Sequence, residues 1–167
     1  ENFKEKVAKI KAEIVKGEAF QVVLSQRFSS KCEADALDVF RTLRGQNPSP
    51  YMYLFRFHDN LNIVGSSPEA LVKITNEEAL IHPIAGTRAR NPDSKIDDEI
   101  AAELLADPKE RAEHLMLVDL GRNDLGRVCL PGTVEVTEFM QIEKYSHVMH
   151  IVSTVTGKID KKFSILD

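Results

Sequence analysis

Residues 109–127, KERAEHLMLVDLGRNDLGR, decide the fold class of this chain. Asp107 before them suits a helix N-cap, Pro108 suits the first helical position, and Glu110 stands where the partner in a capping box belongs. The helix that follows is rich in apolar residues: Leu115, Met116, Leu117, Val118, Leu120 and Leu125. That content predicts a largely buried helix, which other elements must cover.

The segments around this helix supply those elements. The spacing of apolar residues predicts three further helices, at about 2–16, 34–45 and 95–106. Runs of β-type residues predict strands at about 19–28, 51–57, 61–66, 69–74, 78–82, 132–139 and 146–158. The strands between 51 and 82 form an expected antiparallel meander with a hairpin at 58–60. The sequence therefore predicts one α+β unit of antiparallel β-sheets with flanking helices.

Composition excludes several classes of partner. The chain has 167 residues, a formal net charge of -4 and no basic surplus, so we expect no nucleic acid and no membrane partner. The two cysteines, Cys32 and Cys129, have no metal-type spacing, which favours a reducing cytoplasm. The last residues, from Phe163 to Leu166, look like the start of another helix, which predicts that the natural protein continues beyond residue 167 and that residues 1–167 are an incomplete domain.

One candidate site is the stretch 83–90, PIAGTRAR. Gly86 permits a left-handed backbone or a close approach, and Arg88 and Arg90 could hold a carboxylate in a bidentate pair. The alternative is an ordinary β-turn with solvated arginines.

Two further candidates carry ionisable groups. Glu110 and Glu113 lie on one face of the helix and could bind Mg²⁺, although Glu110 also suits a cap and Glu113 could pair with Lys109. His147 and His150 lie in a predicted strand, where side chains alternate. At most one of them is then expected to face a given pocket, and the alternative is a purely structural histidine.

Five blocks of sequence, in order along the chain, resemble the chorismate-utilising enzymes: 21–27, 65–69, 82–90, 109–127 and 145–152. This family includes anthranilate, aminodeoxychorismate, isochorismate and salicylate synthases. The resemblance implies that residues 1–167 are the N-terminal part of a chorismate-binding domain, and that the substrate is chorismate. One departure is Asn91, where the family usually has glycine.

Two positions separate the members of this family. Members that add water resemble one another in having Lys where this chain has Gln21, and aminodeoxychorismate synthases commonly have a nucleophilic Lys where it has Ala85. A neutral amide cannot act as a base, and alanine offers no nucleophile. The resemblance therefore implies an anthranilate synthase large subunit, which adds ammonia from a glutamine amidotransferase subunit and eliminates pyruvate. The alternatives are an aminodeoxychorismate synthase and a non-catalytic truncated module.

The resemblance also implies roles for individual residues. Glu69 matches the general acid, and the remaining catalytic positions are Gln21, Thr87 and His150, with His147 facing away. The implied substrate positions are Ala85, Gly86 and Thr87, and the implied Mg²⁺ ligands are Glu110 and Glu113. Pro50, Tyr51 and Met52 resemble a wall of the tryptophan feedback site, or else begin an ordinary strand. Since other pocket and metal residues would lie beyond residue 167, this stretch alone is expected to be inactive.

Overall fold

The computed structural model describes residues 2–165, which fall into two compact units, Glu1–Asp35 and Ala36–Asp167. The single unit expected from the sequence stays a prediction. The α+β class with antiparallel sheets is confirmed.

The first unit contains one helix, α1 (Phe3–Val15), as predicted. Asn2 accepts a hydrogen bond from the Lys4 amide, and the Glu5 side chain accepts one from the Asn2 amide, which completes a capping box. Gly17 follows the helix with φ 87°, a left-handed conformation that glycine adopts without steric cost and that ends α1.

Residues 19–28 form no strand, contrary to the prediction. A strand needs a neighbour to bond its backbone groups, and no strand among residues 2–165 pairs with this stretch. Its apolar side chains are consequently left in solvent: Phe20 is 93% exposed and Val23 is 84% exposed.

The second unit contains three helices and seven strands. In chain order they are α2 (Ala36–Gln46), β1 (Tyr51–Arg56), β2 (Asn62–Ser67), β3 (Lys73–Thr75), β4 (Glu78–Ile81), β5 (Ile84–Ala89), α3 (Ser94–Ala106), α4 (Pro108–Val128), β6 (Glu135–Lys144) and β7 (Val148–Lys158). None of the helices in residues 2–165 is long and apolar enough to cross a membrane.

The strands form two antiparallel sheets, so the expected continuous meander is wrong. The predicted hairpin joins β1 and β2, and Asp59 and Asn60 turn its corner with φ 61° and 59°, values that Asp and Asn tolerate better than most residues. The hairpin β3–β4 belongs instead to the larger sheet. The strand β3 is shorter than the predicted 69–74, because Leu71 lies outside it and is 92% exposed.

The larger sheet is built around β7. It pairs with β4 and β5 along one edge and with β6 along the other, and it contains most of the buried residues of the sheet. The stretch 83–90 is mostly strand β5, so the β-turn given as the alternative for it is wrong. The register of β5 against β7 shifts between Ala85 and Thr87, so Gly86 forms a bulge.

The helices α3 and α4 cover one face of this sheet, which we call the helix face. Met149, Ile151 and Val155 of β7 point into it and join two apolar clusters with Leu104 of α3 and Val118 of α4. Only one side of α4 is buried, through His114, Val118, Gly121 and Leu125. Leu115 is 47% exposed and Leu120 is 53% exposed, so the prediction of a largely buried helix is wrong.

The opposite face of the sheet, which we call the open face, carries the alternate residues of β7: Val148, His150, Val152, Thr154 and Thr156.

Candidate active site

His150 is held on the open face by the bulge in β5. Its Nδ1 atom lies 3.0 Å from the carbonyl oxygen of Gly86 and 3.1 Å from Oγ1 of Thr87. A carbonyl oxygen only accepts hydrogen bonds, so Nδ1 must carry the proton. In the neutral ring, Nε2 is then left as the acceptor. The bulge therefore fixes the tautomer of His150 and holds the Nδ1 edge of its ring.

Tyr145 packs against the His150 ring. The two ring centroids are 5.6 Å apart with planes at 62°, an edge-to-face contact. The Tyr145 hydroxyl donates to Oε2 of Glu143 at 2.6 Å. Burial, this bond, and the negative charges of Glu143 and Glu69 raise the pKa of Tyr145 to about 12, so the phenol keeps its proton.

Glu69, the predicted general acid, borders a cleft on the open face. The cleft has a volume of about 250 Å³, and its walls include Glu69, His82, Glu143 and Tyr145. Glu69 itself is exposed. The same cleft is bordered by Pro50 and Tyr51, two of the three residues of the predicted tryptophan site, while the third, Met52, is half-buried in β1.

A second cleft, of about 180 Å³, lies on the other side of Tyr145. It is bordered by both His147 and His150. The expectation that only one of these histidines could face a given pocket is therefore wrong. His147 precedes β7 and lies in the bend before it, so the alternation of a strand does not apply to it.

The open face holds a further polar group that the sequence did not reveal. The Thr154 hydroxyl donates to Oε2 of Glu138 at 2.7 Å and lies 3.4 Å from Nδ1 of His82. Because the threonine proton is used by Glu138, Nδ1 of His82 must be the donor in the second contact. Only the strand pairing reveals this group, since Glu138 lies in β6, Thr154 in β7 and His82 between β4 and β5.

The predicted metal ligands lie at the start of α4, on the helix face. Asp107 caps α4 by accepting from the amides of Lys109 and Glu110. The Asp107 amide bonds instead to carbonyls of α3, so the Glu110 side chain is not needed for a capping box. Its Oε1 atom lies 3.7 Å from Arg88 and 3.4 Å from Lys109, and only 14% of the side chain is exposed.

Glu113 lies one turn further along α4. Its Oε2 atom is 3.7 Å from Lys109 Nζ, the ion pair that the sequence suggested, and 37% of its side chain is exposed. Within residues 2–165 no group of three or more His, Cys, Asp or Glu side chains is arranged to hold a metal ion. The carboxylates of Glu110 and Glu113 therefore lie beside the positive charges of Arg88 and Lys109.

Both arginines of the stretch 83–90 are partly buried, with side chains 28% and 30% exposed, and each is paired with a carboxylate of this chain. Arg88 donates to Asp107 at 3.1 Å, and the bonds from the Glu110 and Lys109 amides, together with Arg88, lower the pKa of Asp107. Arg90 is bound through Nε to both oxygens of Asp97, at 3.0 and 3.1 Å. The alternative of solvated arginines is therefore wrong, whereas a ligand carboxylate held by this pair stays a prediction.

The bulge at Gly86 contacts residues on both the helix face and the open face. Gly86 has φ 71°, and a Cβ atom placed on it would lie 3.4 Å from Oε2 of Glu110. The next residue, Thr87, contacts His150 on the open face, whereas Ala85 pairs with Ile151 and shares its helix face. The structure thus brings the predicted residues together along β5, with Glu69 on one face and both α4 carboxylates on the other.

Gln21 belongs to the first unit, where it is exposed and outside any helix or strand. Its assignment to the site stays a prediction.

Comparisons with known proteins agree with this fold. The sequence model for chorismate binding enzymes matches residues 1–167. Anthranilate synthase component 1 of Mycolicibacterium smegmatis is 58% identical over all of this chain, which spans 33% of that protein. The crystal structure of anthranilate synthase component I from Streptococcus pneumoniae TIGR4 is 41% identical, with a TM-score of 0.86 over 97% of this chain and 35% of that one.

A more distant match is the menaquinone-specific isochorismate synthase of Escherichia coli, at 27% identity and a TM-score of 0.54 over 60% of this chain and 23% of that one. The family match extends over the entire sequence. This chain belongs to the family of chorismate binding enzymes.

Proposed function

We propose that this chain is part of the large subunit of an anthranilate synthase. The observation that carries the proposal is the 58% identity, over the whole chain, to a protein named anthranilate synthase component 1. The reaction adds ammonia to chorismate, removes its 4-hydroxyl and eliminates pyruvate to leave anthranilate, the first step of tryptophan biosynthesis. Chorismate is the substrate, and a glutamine amidotransferase subunit supplies the ammonia.

Two neutral side chains support amination over the related reactions. Gln21 has an amide where a water-activating Lys would act as a base, so water is not deprotonated there. Ala85 has a methyl group where a Lys would attack the ring covalently, so ammonia must attack directly. An aminodeoxychorismate synthase stays the second candidate, but the relatives named anthranilate synthase component 1 do not favour it.

Glu69 supplies the proton that the 4-hydroxyl needs to leave as water. Hydroxide is a poor leaving group, so this proton transfer lowers the barrier. The position of Glu69 at an open cleft, beside the neutral phenol of Tyr145, supports this role, because a substrate can reach the carboxyl group. His150 lies beside the ring of the substrate, with Thr87 and Gly86 holding its Nδ1 and leaving Nε2 available.

Glu110 and Glu113 would hold Mg²⁺. Two carboxylates suit this ion, which usually keeps several waters and takes one or two protein carboxylates together with ligand oxygens. Arg88 and Lys109, which lie within 4 Å of these carboxylates, offset their mutual repulsion in the absence of the ion. When bound, Mg²⁺ would supply positive charge to the ring carboxylate of the substrate.

Regulation and location complete the proposal. Pro50, Tyr51 and Met52 form part of a tryptophan feedback site, and the protein acts in the cytoplasm. This chain alone does not turn over chorismate, because it spans only about one third of the length of its relatives and holds two of the carboxylates of the metal site.

The test is product analysis with the complete gene product, chorismate, ammonium and Mg²⁺. We expect fluorescent anthranilate that requires Mg²⁺, and accumulation of aminodeoxychorismate instead would support the second candidate. Gln21→Lys should shift the product towards water addition, and Ala85→Lys should change the route of amination. Anthranilate formation by the isolated 167 residues would refute the inactivity of this stretch, and calorimetry without Mg²⁺-dependent chorismate binding to the complete protein would favour a non-catalytic module.

A further inference from the structure

Tyr145 occupies a position that the proposed reaction does not explain. It forms the wall between the two clefts of the open face, since it borders the Glu69 cleft and the His150 cleft alike. Its ring edge lies against the imidazole of His150, and its hydroxyl is used by Glu143, the residue opposite His150 on β6. Tyr145 therefore supports His150 on the side away from the β5 bulge.

The backbone around Tyr145 is tied to one arginine. Nη1 of Arg90 donates to the Tyr145 carbonyl at 2.7 Å, and the Arg90 amide donates to the His147 carbonyl at 3.0 Å. The Tyr145 amide itself bonds to Val148 at 2.8 Å. These three bonds fix the short bend between β6 and β7, which would otherwise be a mobile loop.

Arg90 is in turn fixed by Asp97 of α3. The Asp97 side chain is only 3% exposed, and it accepts from Arg90 Nε, from the Asn91 amide at 2.9 Å and from Lys144 Nζ at 2.9 Å. The Arg90 bond, followed by those from Asn91 and Lys144, holds the pKa of Asp97 well below its usual range. A buried carboxylate with all of its partners present holds a single geometry.

We propose that Tyr145 is a positioning residue for His150, and that Asp97 acts through Arg90 to hold Tyr145 in place. The proposal rests on the proposed function, in which His150 lies beside the reacting ring. The bulge holds one edge of the imidazole through Nδ1, which alone leaves the ring free to tilt about that edge. Tyr145 blocks this tilt and so fixes the direction in which Nε2 points.

The experiment compares matched pairs of substitutions in the complete gene product. Tyr145→Leu removes the ring edge, and Tyr145→Phe keeps it while losing the bond to Glu143. Asp97→Asn weakens the bond to Arg90. Its control is Asp98→Asn, because Asp98 is the next residue, also bonds Lys144, at 2.6 Å, and has a side chain that is 75% exposed.

Two readouts are needed. The first is kcat and KM for chorismate: Tyr145→Leu and Asp97→Asn should lower kcat by about tenfold to a hundredfold, the usual cost of a misplaced reacting group, with KM changed by less than about threefold. Tyr145→Phe should recover most of the loss, and Asp98→Asn should match the wild type. The second readout is the ¹⁵N spectrum of the histidine rings, with His150 assigned by its loss in His150→Gln.

In the wild type, His150 should show a proton fixed on Nδ1. Tyr145→Leu and Asp97→Asn should keep this tautomer, because the bulge fixes it, but they should shift or broaden the ring signals because the imidazole can then tilt. An unchanged His150 signal in Tyr145→Leu, or equal effects of the Asp97 and Asp98 substitutions, would overturn the proposal. If Asp97→Asn does not fold, Arg90→Lys takes its place, since it keeps the charge but loses the bond to the Tyr145 carbonyl. A wild type without chorismate turnover would refute the proposed function, while the spectra would still decide the role of Tyr145.

Discussion

Replacing Gly86 with alanine should destabilise the second unit through two separable effects. The first is the backbone: φ at Gly86 is 71°, and a residue with a Cβ atom loses about 1–2 kcal/mol in that left-handed conformation. The second is space. The new Cβ atom would lie 3.1 Å from Cδ1 of Leu104, which is fully buried and has little room to move, and overpacking of this kind costs about 1–3 kcal/mol. The expected total is about 2–5 kcal/mol.

Gly132 provides the control that separates the two effects. It lies in the same unit with φ 80°, but nothing lies within 4 Å of a Cβ atom placed on it. Gly132→Ala should therefore cost only the backbone part, about 1–2 kcal/mol. Gly45→Ala, in α2 with open space and an ordinary φ, should be neutral or stabilise the unit by up to about 1 kcal/mol.

The assay is urea unfolding of the three variants, with the change in midpoint multiplied by a common slope to give the free energy of unfolding. Gly86→Ala should exceed Gly132→Ala by about 1–3 kcal/mol. Equal losses for the two variants would show that the bulge can open to accept a methyl group. The close packing of Gly86 between Leu104 and Glu110 would then be refuted.

Three other perturbations test the remaining parts of the site. In the complete gene product, Glu69→Gln should lower kcat for anthranilate formation by about 10²–10⁴ with little change in KM, and a variant of normal rate would remove Glu69 from its role as an acid. Ser153→Ala should lower the free energy of unfolding by about 2–5 kcal/mol in urea. The Ser153 hydroxyl accepts from the Met140 amide at 2.9 Å and contacts Nε2 of His114 at 2.7 Å, and both groups would lose this partner inside the fold. Burial lowers the pKa of His114 from its ordinary 6.5. Below about pH 6.5 the unfolded chain therefore takes up a proton that the folded chain does not, and the free energy of unfolding should fall as the pH falls. His114→Gln should flatten that part of the plot of unfolding free energy against pH.

Local signals were enough to predict most of the elements. The cap at Asp107 and the turn at Asp59 and Asn60 depend on neighbours within a few residues, and both lie where the sequence placed them. The strand predicted at 19–28 is wrong for a different reason. Its β-type residues are typical of a strand, but strand formation also depends on a partner elsewhere, which local pattern does not reveal.

The sequence predicts neighbours in the site only where both residues belong to the same helix or strand. Glu110 and Glu113 lie together because helical spacing places them together. The contacts of His150 with Gly86, and of Arg90 with Asp97, depend on the register between β5 and β7 and on how α3 packs. A bulge shifts that register by one residue, so alternation alone could not show that Thr87, rather than Gly86, shares the face of His150.

The bulge also constrains where the proposed chemistry can take place. Glu69 and His150 lie on the open face, whereas Glu110 and Glu113 lie at the start of α4 on the helix face. The edge of β5 is the place where both are accessible, because Gly86 contacts the Glu110 side and Thr87 contacts the His150 side. In a strand without a bulge, the contacts to Glu110 and to His150 would lie on opposite faces of the sheet. Because the bulge shifts the register of β5 by one residue, the contacts to Glu110 and to His150 lie at the same edge. The proposed roles of these residues therefore require that the ring of the substrate lie along that edge.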